Sequence, residues 1–463
     1  MIVTFSVANF RSFNEEETFS LVASNKLTGS HEHHLVSVPD SDASVLRAGI
    51  LYGANGGGKS NFFKALHYVQ TMALRPRKKG GGTGRQRFRF GGDEAAPSQF
   101  DLQFVAGDQL YRYGLIVDDE RVVEEWLLTV QGSKEKPVFE RFTDEDGGVT
   151  IESKASKKEN ERLRALMTVG GPQQQTFLAT VRANLESAHF GAPIRTVLEW
   201  FESKITFIKP DRPFWPVGVA LSEDEGFQNF ASEFLRASST GVDNLEVSKE
   251  ELSQEQLKVM LPADLYAKVI KNTERRGKVV VPLTKDREVL IEKIGEHRYF
   301  LLTVQSVHSH ETSNAIRFDL AEESDGTKRL LNLLPALHRL HTDGGVFVID
   351  EVERSMHPLL IHKFLEFFFA GCGGERRQLI VTTHESSLLD QNLLRRDEIW
   401  FAEKNKRGAT KLYSLSEFQP RKDLKLDKHY LQGRFGAIPF LGDLDQIMKR
   451  EAGDTSDMRV AET

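Results

Sequence analysis

Gly53-Ala54-Asn55-Gly56-Gly57-Gly58-Lys59-Ser60 decides how this chain folds. An apolar run, Ala48-Gly49-Ile50-Leu51-Tyr52, leads into it, and Phe62, Phe63, Leu66 and Val69 follow at the spacing of one helix face. Strand, glycine-rich loop and helix in that order are the setting of a G-x-x-x-x-G-K-S phosphate loop. Gly56, Gly57 and Gly58 let backbone N–H groups curl around phosphate oxygens with no Cβ in the way. The helix N-terminus adds partial positive charge at the same point. Lys59 can reach β- and γ-phosphates, and the Ser60 hydroxyl can hold Mg²⁺.

A second site lies some 300 residues downstream. Val346-Phe347-Val348-Ile349 reads as a short buried strand and ends in Asp350-Glu351. Asp350 suits contact with Mg²⁺ through water, and Glu351 can polarise an attacking water as general base. A surface acid pair at a strand end is the competing reading. Leu379-Ile380-Val381 is another buried strand and ends in Thr382-Thr383-His384. An imidazole there can contact a γ-phosphate or hold the water; alone, it is as well read as a structural histidine.

Around these points the chain divides into three. Residues 1–150 open with a strand in which Val3, Phe5 and Val7 share a face, followed by a turn, Asn9-Phe10-Arg11-Ser12-Phe13. A β-meander comes later, through Phe100, Leu102 and Phe104, Leu110 to Val117, and Val122 to Val130. Between them, residues 75–92 carry seven basic residues, six glycines and no acid, which reads as a mobile basic loop. Residues 151–285 are mostly helical in pattern, with a capping box expected at Ser222 and Glu225 ahead of Phe227, Phe230 and Phe234. Residues 286–463 begin strand-rich and then alternate helix and strand.

Composition narrows the class. The chain has 463 residues, 39% apolar, enough for a full core. Its 67 acidic and 61 basic residues leave a net charge of −6, which excludes a uniformly basic nucleic-acid coat. The single cysteine, Cys372, forms no intramolecular disulfide and no thiolate metal cluster, which fits a reducing compartment. Without a membrane-length apolar run or a signal-peptide pattern at Met1 to Ser6, a cytoplasmic protein with no membrane partner is expected.

On these residues the chain resembles the ABC-type ATPases of the SMC, RecF and OLD group, across roughly residues 1–130 and 285–440. The Asn55-Gly56 pair of the loop is similar to the SMC-like version. Asn9 to Phe13 looks like the N-terminal motif whose arginine, here Arg11, lies near the nucleotide. Ser324-Asp325-Gly326-Thr327 resembles the signature motif, Val352 to Pro358 the D-loop, and His384 the switch histidine. The resemblance implies an α/β fold, a P-loop NTPase of ABC-ATPase type with an N-terminal β-meander lobe and a mostly helical insert. It implies ATP and Mg²⁺ as cofactors. It also implies a homo-oligomer, at least a dimer, in which Ser324 and Gly326 of one subunit complete the ATP site of another. Ser324 and Asp325 read equally as an ordinary helix cap. Asp325 departs from the transporters' glycine, the SMC coiled coil is absent, and Gln175 is only a weak candidate for the Q-loop glutamine.

Glu323 to Leu331 and Tyr430 to Pro439 carry a narrower resemblance, to ATPases of bacterial anti-phage and abortive-infection systems. Only 79 residues follow His384, too few for a fused Toprim nuclease, so a separate effector, a nuclease or toxin, is expected. The alternative is an SMC/RecF-like DNA-binding ATPase in DNA repair or maintenance, with nucleic acid held by the basic loop 75–92 and its interleaved Phe88 and Phe90. A transporter ATPase fits the loop and the insert less well. His31-Glu32-His33-His34 is spaced too tightly for one tetrahedral metal and reads as a polar surface loop, while His308 and His310 make only half a site.

Overall fold

The computed structural model describes residues 1–78, 80–91, 95–153, 161–210, 217–283, 287–294, 296–310, 313–370, 376–418 and 424–438. Cys372 and Pro439 lie outside them.

Strands whose sequence is apolar throughout need cover on both faces, and the central sheet provides it. Its order is Ile205–Ile208, Gly345–Ile349, Arg377–Thr383, Ala48–Tyr52, Ile399–Lys404, Thr410–Ser414. The first five run parallel and the last is antiparallel. Successive residues serve opposite cores. Val346, Val348, Ile380 and Leu51 pack on one side. Phe347, Ile349, Leu379, Val381, Ile50 and Tyr52 pack on the other. The first core lies against the Lys59–Leu74 helix and a large antiparallel sheet. The second lies against helices Glu225–Ala237, Asp325–Thr342 and Pro358–Phe369.

Register sets where the chemistry falls. Thr383 pairs with Tyr52, and Ile349 with Val381, in a parallel arrangement. The next residues along each strand, Gly53, His384 and Asp350, therefore leave the sheet at one common edge.

The antiparallel sheet has seven strands, ordered Val149–Glu152, Lys134–Thr143, Val122–Gln131, Gln109–Val117, Ser98–Ala106, Ile2–Ala8, Glu17–Ser20. It contains the expected meander, with the opening strand beside Ser98–Ala106. Residues 151–285 are mostly helical, yet strands thread them. Ile205–Ile208 is the edge of the central sheet, and Asn244–Leu252 and Lys278–Pro282 join a five-stranded sheet with strands lying between residues 287 and 319.

Three local expectations are corrected. The Glu225–Ala237 helix is capped by Asp224, which accepts from Phe227 N at 2.9 Å, while Ser222 sits inside the preceding helix and donates to Val219 O. The described part of loop 75–92 is pinned rather than mobile. Arg85 ion-pairs with Asp119 at 2.7 Å, Tyr68 donates to Thr83 O, Arg11 N donates to Gln86 O, and Phe88 is buried. Gln175 is a structural residue: it accepts from Arg77 N and donates to Thr180 Oγ1.

Candidate nucleotide site

The phosphate loop closes on itself and on the neighbouring strands. Gly58 has φ 118° and precedes the helix, and a Cβ there would run into the Thr410 side chain, so only glycine fits. Thr410 Oγ1 donates to Gly57 O at 3.0 Å, and Thr410 N donates to Ser12 O at 2.7 Å. Ser12 Oγ in turn accepts from Asn61 Nδ2 and lies in hydrogen-bond contact with Thr410 Oγ1, both at 2.8 Å. Buried Ser12 thus ties the N-terminal turn to the first turn of the phosphate-loop helix.

Lys59 is buried, and its ammonium donates to Gly53 O at 2.6 Å and Ala54 O at 3.1 Å. Burial lowers its pKa, while Glu353, Glu351 and Asp350 pull the other way. Asn55, Gly56, Gly57, Gly58, Lys59, Ser60 and Glu351 line one cleft of about 210 Å³, with Lys404 on its rim.

Asp350 is buried at the end of its strand. Its Oδ1 accepts from Ser60 Oγ at 3.2 Å and from Thr382 Oγ1 at 2.6 Å. Glu351 takes the left-handed conformation, φ 50°, and its N donates to Thr382 Oγ1 at 2.9 Å. A non-glycine residue in that region is uncommon and needs support. Buried Arg329, from the Asp325–Thr342 helix, supplies it: its guanidinium donates to Lys209 O, Asp350 O and Glu351 O at 3.2–3.4 Å. Burial and the nearby Arg354 lower the Arg329 pKa to about 10.

His384 reaches the site through Glu353. Its backbone N donates to Glu353 Oε1 at 2.8 Å, and its Nδ1 lies 2.6 Å from the same oxygen, which leaves Nε2 on a ring that is 55% exposed. Glu353 itself is buried. Arg11 does not line the cleft. It is at φ 54° next to Ser12, its ring-side neighbour is Phe10, and its Nε is buried without a partner among the described residues. Ser324 caps the Asp325–Thr342 helix, accepting from Thr327 N at 3.1 Å. Gly326 packs so close to the D-loop that a Cβ would stand 2.7 Å from Ser355 O. Neither Ser324 nor Gly326 lines the cleft of its own chain.

The sequence reading missed Ser12, Thr410, Arg329, Glu353, Thr382 and Lys404. Ser12, Arg329, Glu353 and Thr382 lay inside quoted motifs, but their work is done through contacts that no spacing rule encodes. The donor set fits a magnesium nucleoside triphosphate: two oxygens, Ser60 Oγ and Asp350 Oδ1, stand together beside a buried ammonium and a run of three glycines, Gly56 to Gly58.

A parallel sheet carrying a phosphate loop, with an acidic pair ending a strand two places away, defines a P-loop ATPase fold of ABC type. Over residues 50–161 and 194–390, about two thirds of its length, the chain matches the family described as "AAA domain, putative AbiEii toxin, Type IV TA system", and it belongs to that family. Among curated proteins none matches. Among solved structures the chain is similar to the SMC head domain from Thermotoga maritima, with 12% identity, TM-score 0.37, and 89% of this chain and 98% of that one covered. It is also similar to an Smc head bound to the C-terminal winged-helix domain of ScpA, with 11% identity, TM-score 0.38, and 90% and 99% covered. An Smc head bound to the C-terminal domain of ScpA from Pyrococcus furiosus matches with 11% identity, TM-score 0.33, and 90% and 99% covered. Among the described residues no helix is long and apolar enough to cross a membrane.

Proposed function

We propose that the chain binds and hydrolyses ATP and works as the sensor or scaffold subunit of a bacterial anti-phage system that controls a separate effector, a nuclease or toxin. The observation that carries the catalytic part is the meeting of Lys59, Ser60 and Glu351 in one cleft, with Asp350 against Ser60. Lys59 would bind the phosphates, and Ser60 and Asp350 would hold Mg²⁺, which when bound would supply charge that assists phosphoryl transfer. Glu351 takes the proton of the attacking water. His384, held by Glu353, orients that water or the γ-phosphate, and Arg11, outside the cleft as it stands, turns toward the nucleotide only when it binds. Ser324 and Gly326 complete the site of a second copy: Ser324 caps a helix N-terminus, a natural anion site, Gly326 lies in its first turn, and neither lines the cleft of its own chain. The family's description as a putative toxin of a toxin–antitoxin system supports the defence role.

The test is a pull-down of the Glu351→Gln protein from its native cell with ATP and Mg²⁺, reading protein and nucleic acid together. A nuclease- or toxin-like protein at fixed stoichiometry supports the proposal. Duplex DNA with no dedicated protein partner overturns it in favour of the SMC/RecF-like alternative. That alternative would have to use the exposed Arg75, Lys78, Arg89 and Phe90, since Phe88 is buried and Arg85 is paired.

A further inference from the structure

We infer that His31, His33 and His34 bind a divalent transition-metal ion, with zinc as the fitting ion, at the end of the central sheet opposite the phosphate loop. The short spacing that argues against a metal is overcome by the backbone. His31 is in the left-handed region, φ 47°, and Glu32–His34 form a single 3₁₀ turn. One ligand nitrogen from each histidine then lies within 4.8 Å of the others. The His33 and His34 ring centroids are 4.3 Å apart at 84°, and those of His31 and His34 are 4.9 Å apart. A tetrahedral zinc with bonds of about 2.0–2.1 Å holds its nitrogens about 3.3 Å apart, so the gap is within the reach of side-chain rotation at His31 and His33. His33 is exposed, so its ring has that freedom, while His31, half-buried and held at Nε2 by Gln391 O, turns only about that contact.

A second, independent observation is the polar support behind the rings. His34 Nδ1 lies 2.9 and 3.0 Å from the two oxygens of Glu398, which is fully buried. His31 Nε2 lies 2.9 Å from Gln391 O. Each contact occupies one ring nitrogen and leaves the other, His34 Nε2 and His31 Nδ1, for an ion. Carboxylate and carbonyl partners of this kind orient metal-binding histidines. His34 is further fixed by stacking on Phe369, with centroids 3.7 Å apart at 4°.

The charged groups beneath the cluster are tied to one another and to the chain around it. Asp397 is engaged by Arg395 at 2.9 Å and by Ser24 N at 2.8 Å. Arg395 also donates to Leu27 O and Ser30 O. The ion would therefore reinforce a joint between residues 24–34 and 391–398, directly beneath the strands Ala48–Tyr52 and Ile399–Lys404. Three imidazoles leave a fourth position for water.

The test uses the full chain freed of any polyhistidine tag, equilibrated with Zn²⁺, desalted and analysed for metal by mass spectrometry. The expected result is about one zinc per chain, falling below about a tenth in a His31→Ala/His33→Ala double variant. That variant spares buried His34. Lys59→Ala should keep its zinc, which separates this site from the Mg²⁺ site. Co²⁺ in place of zinc should give visible d–d bands in the parent and none in the double variant, and Zn²⁺ should raise the melting temperature of the parent only. Less than about a tenth of a zinc in the parent, or equal zinc in the double variant, overturns the assignment.

Discussion

Glu351 and Arg329 hold one strained turn from opposite sides, and each gives a separable prediction. Glu351→Gln keeps the shape of the cleft and removes the base. Turnover should fall by about 10²–10⁴-fold, with ATP binding retained, as read by single-turnover hydrolysis beside a nucleotide-binding titration. Hydrolysis at the parent rate would remove Glu351 from the role of base. Lys59→Ala should instead lose nucleotide binding itself. Arg329 donates to main-chain carbonyls and, among the described residues, to no side chain of the cleft, so it is a positioning residue. Arg329→Met keeps the apolar stem and leaves those carbonyls without their donor. It should cost about 1–3 kcal/mol in urea unfolding, with kcat falling more than KM rises. Arg329→Lys, retaining a charge that reaches one or two of the carbonyls, should recover part of both; no recovery, with KM alone affected, would mean that the turn is set elsewhere.

At the scale of the element, the phosphate-loop helix carries a pH dependence. His67 packs between Phe63 and Phe207, and burial, with Lys209 and Arg75 nearby, lowers its pKa to about 4. The unfolded chain binds the proton near pH 6.5 and the folded one only near pH 4. Stability is therefore complete above about 6.5 and is lost as pH falls toward 4. Allowing for a partly solvated ring, the loss is about 1–2 kcal/mol. Chemical denaturation of His67→Gln between pH 7 and 4.5 should show that part of the slope removed; an unchanged slope would place the titration in other groups. The elements most legible in the sequence were those with one dominant constraint. Apolar strands ending in Asp350-Glu351 and Thr382-Thr383-His384 can only be buried strands opening onto a polar edge. Lys134–Thr143 was not legible, because its mostly exposed, charged first half lacks the alternation of a half-buried strand. Loop 75–92 misled by composition: its glycines and arginines read as mobile, but Phe88, Thr83 and Arg85 anchor it through partners distant in sequence. At Ser222 and Asp224 two polar residues competed for one cap, and the choice was made by where the preceding helix ends.

At the scale of the whole molecule, the phosphate loop and the Ser324 helix cap face different surroundings in one chain, which makes the number of chains per working site the central question. If Ser324 and Gly326 complete the cleft of a second copy, two inactive variants should repair one another. Lys59→Ala lacks a working loop but keeps its Ser324 cap. Ser324→Arg keeps its loop but presents a bulky cation where the partner's site must close. Each alone should be inactive, and Ser324→Arg should still bind ATP in its own cleft. Mixed in equal amounts and allowed to exchange, half of the resulting dimers pair one of each, and each mixed dimer holds one intact composite site of two. Hydrolysis should then return to about a quarter of the parent rate, an arithmetic that follows from a head-to-tail pair with two equivalent interfaces. Light scattering on the same mixture with ATP should show the assembled species. Continued inactivity of a mixture in which assembly and exchange are demonstrated would mean that the site is complete within one chain, and the Ser324 cap would then be a structural feature of its own helix.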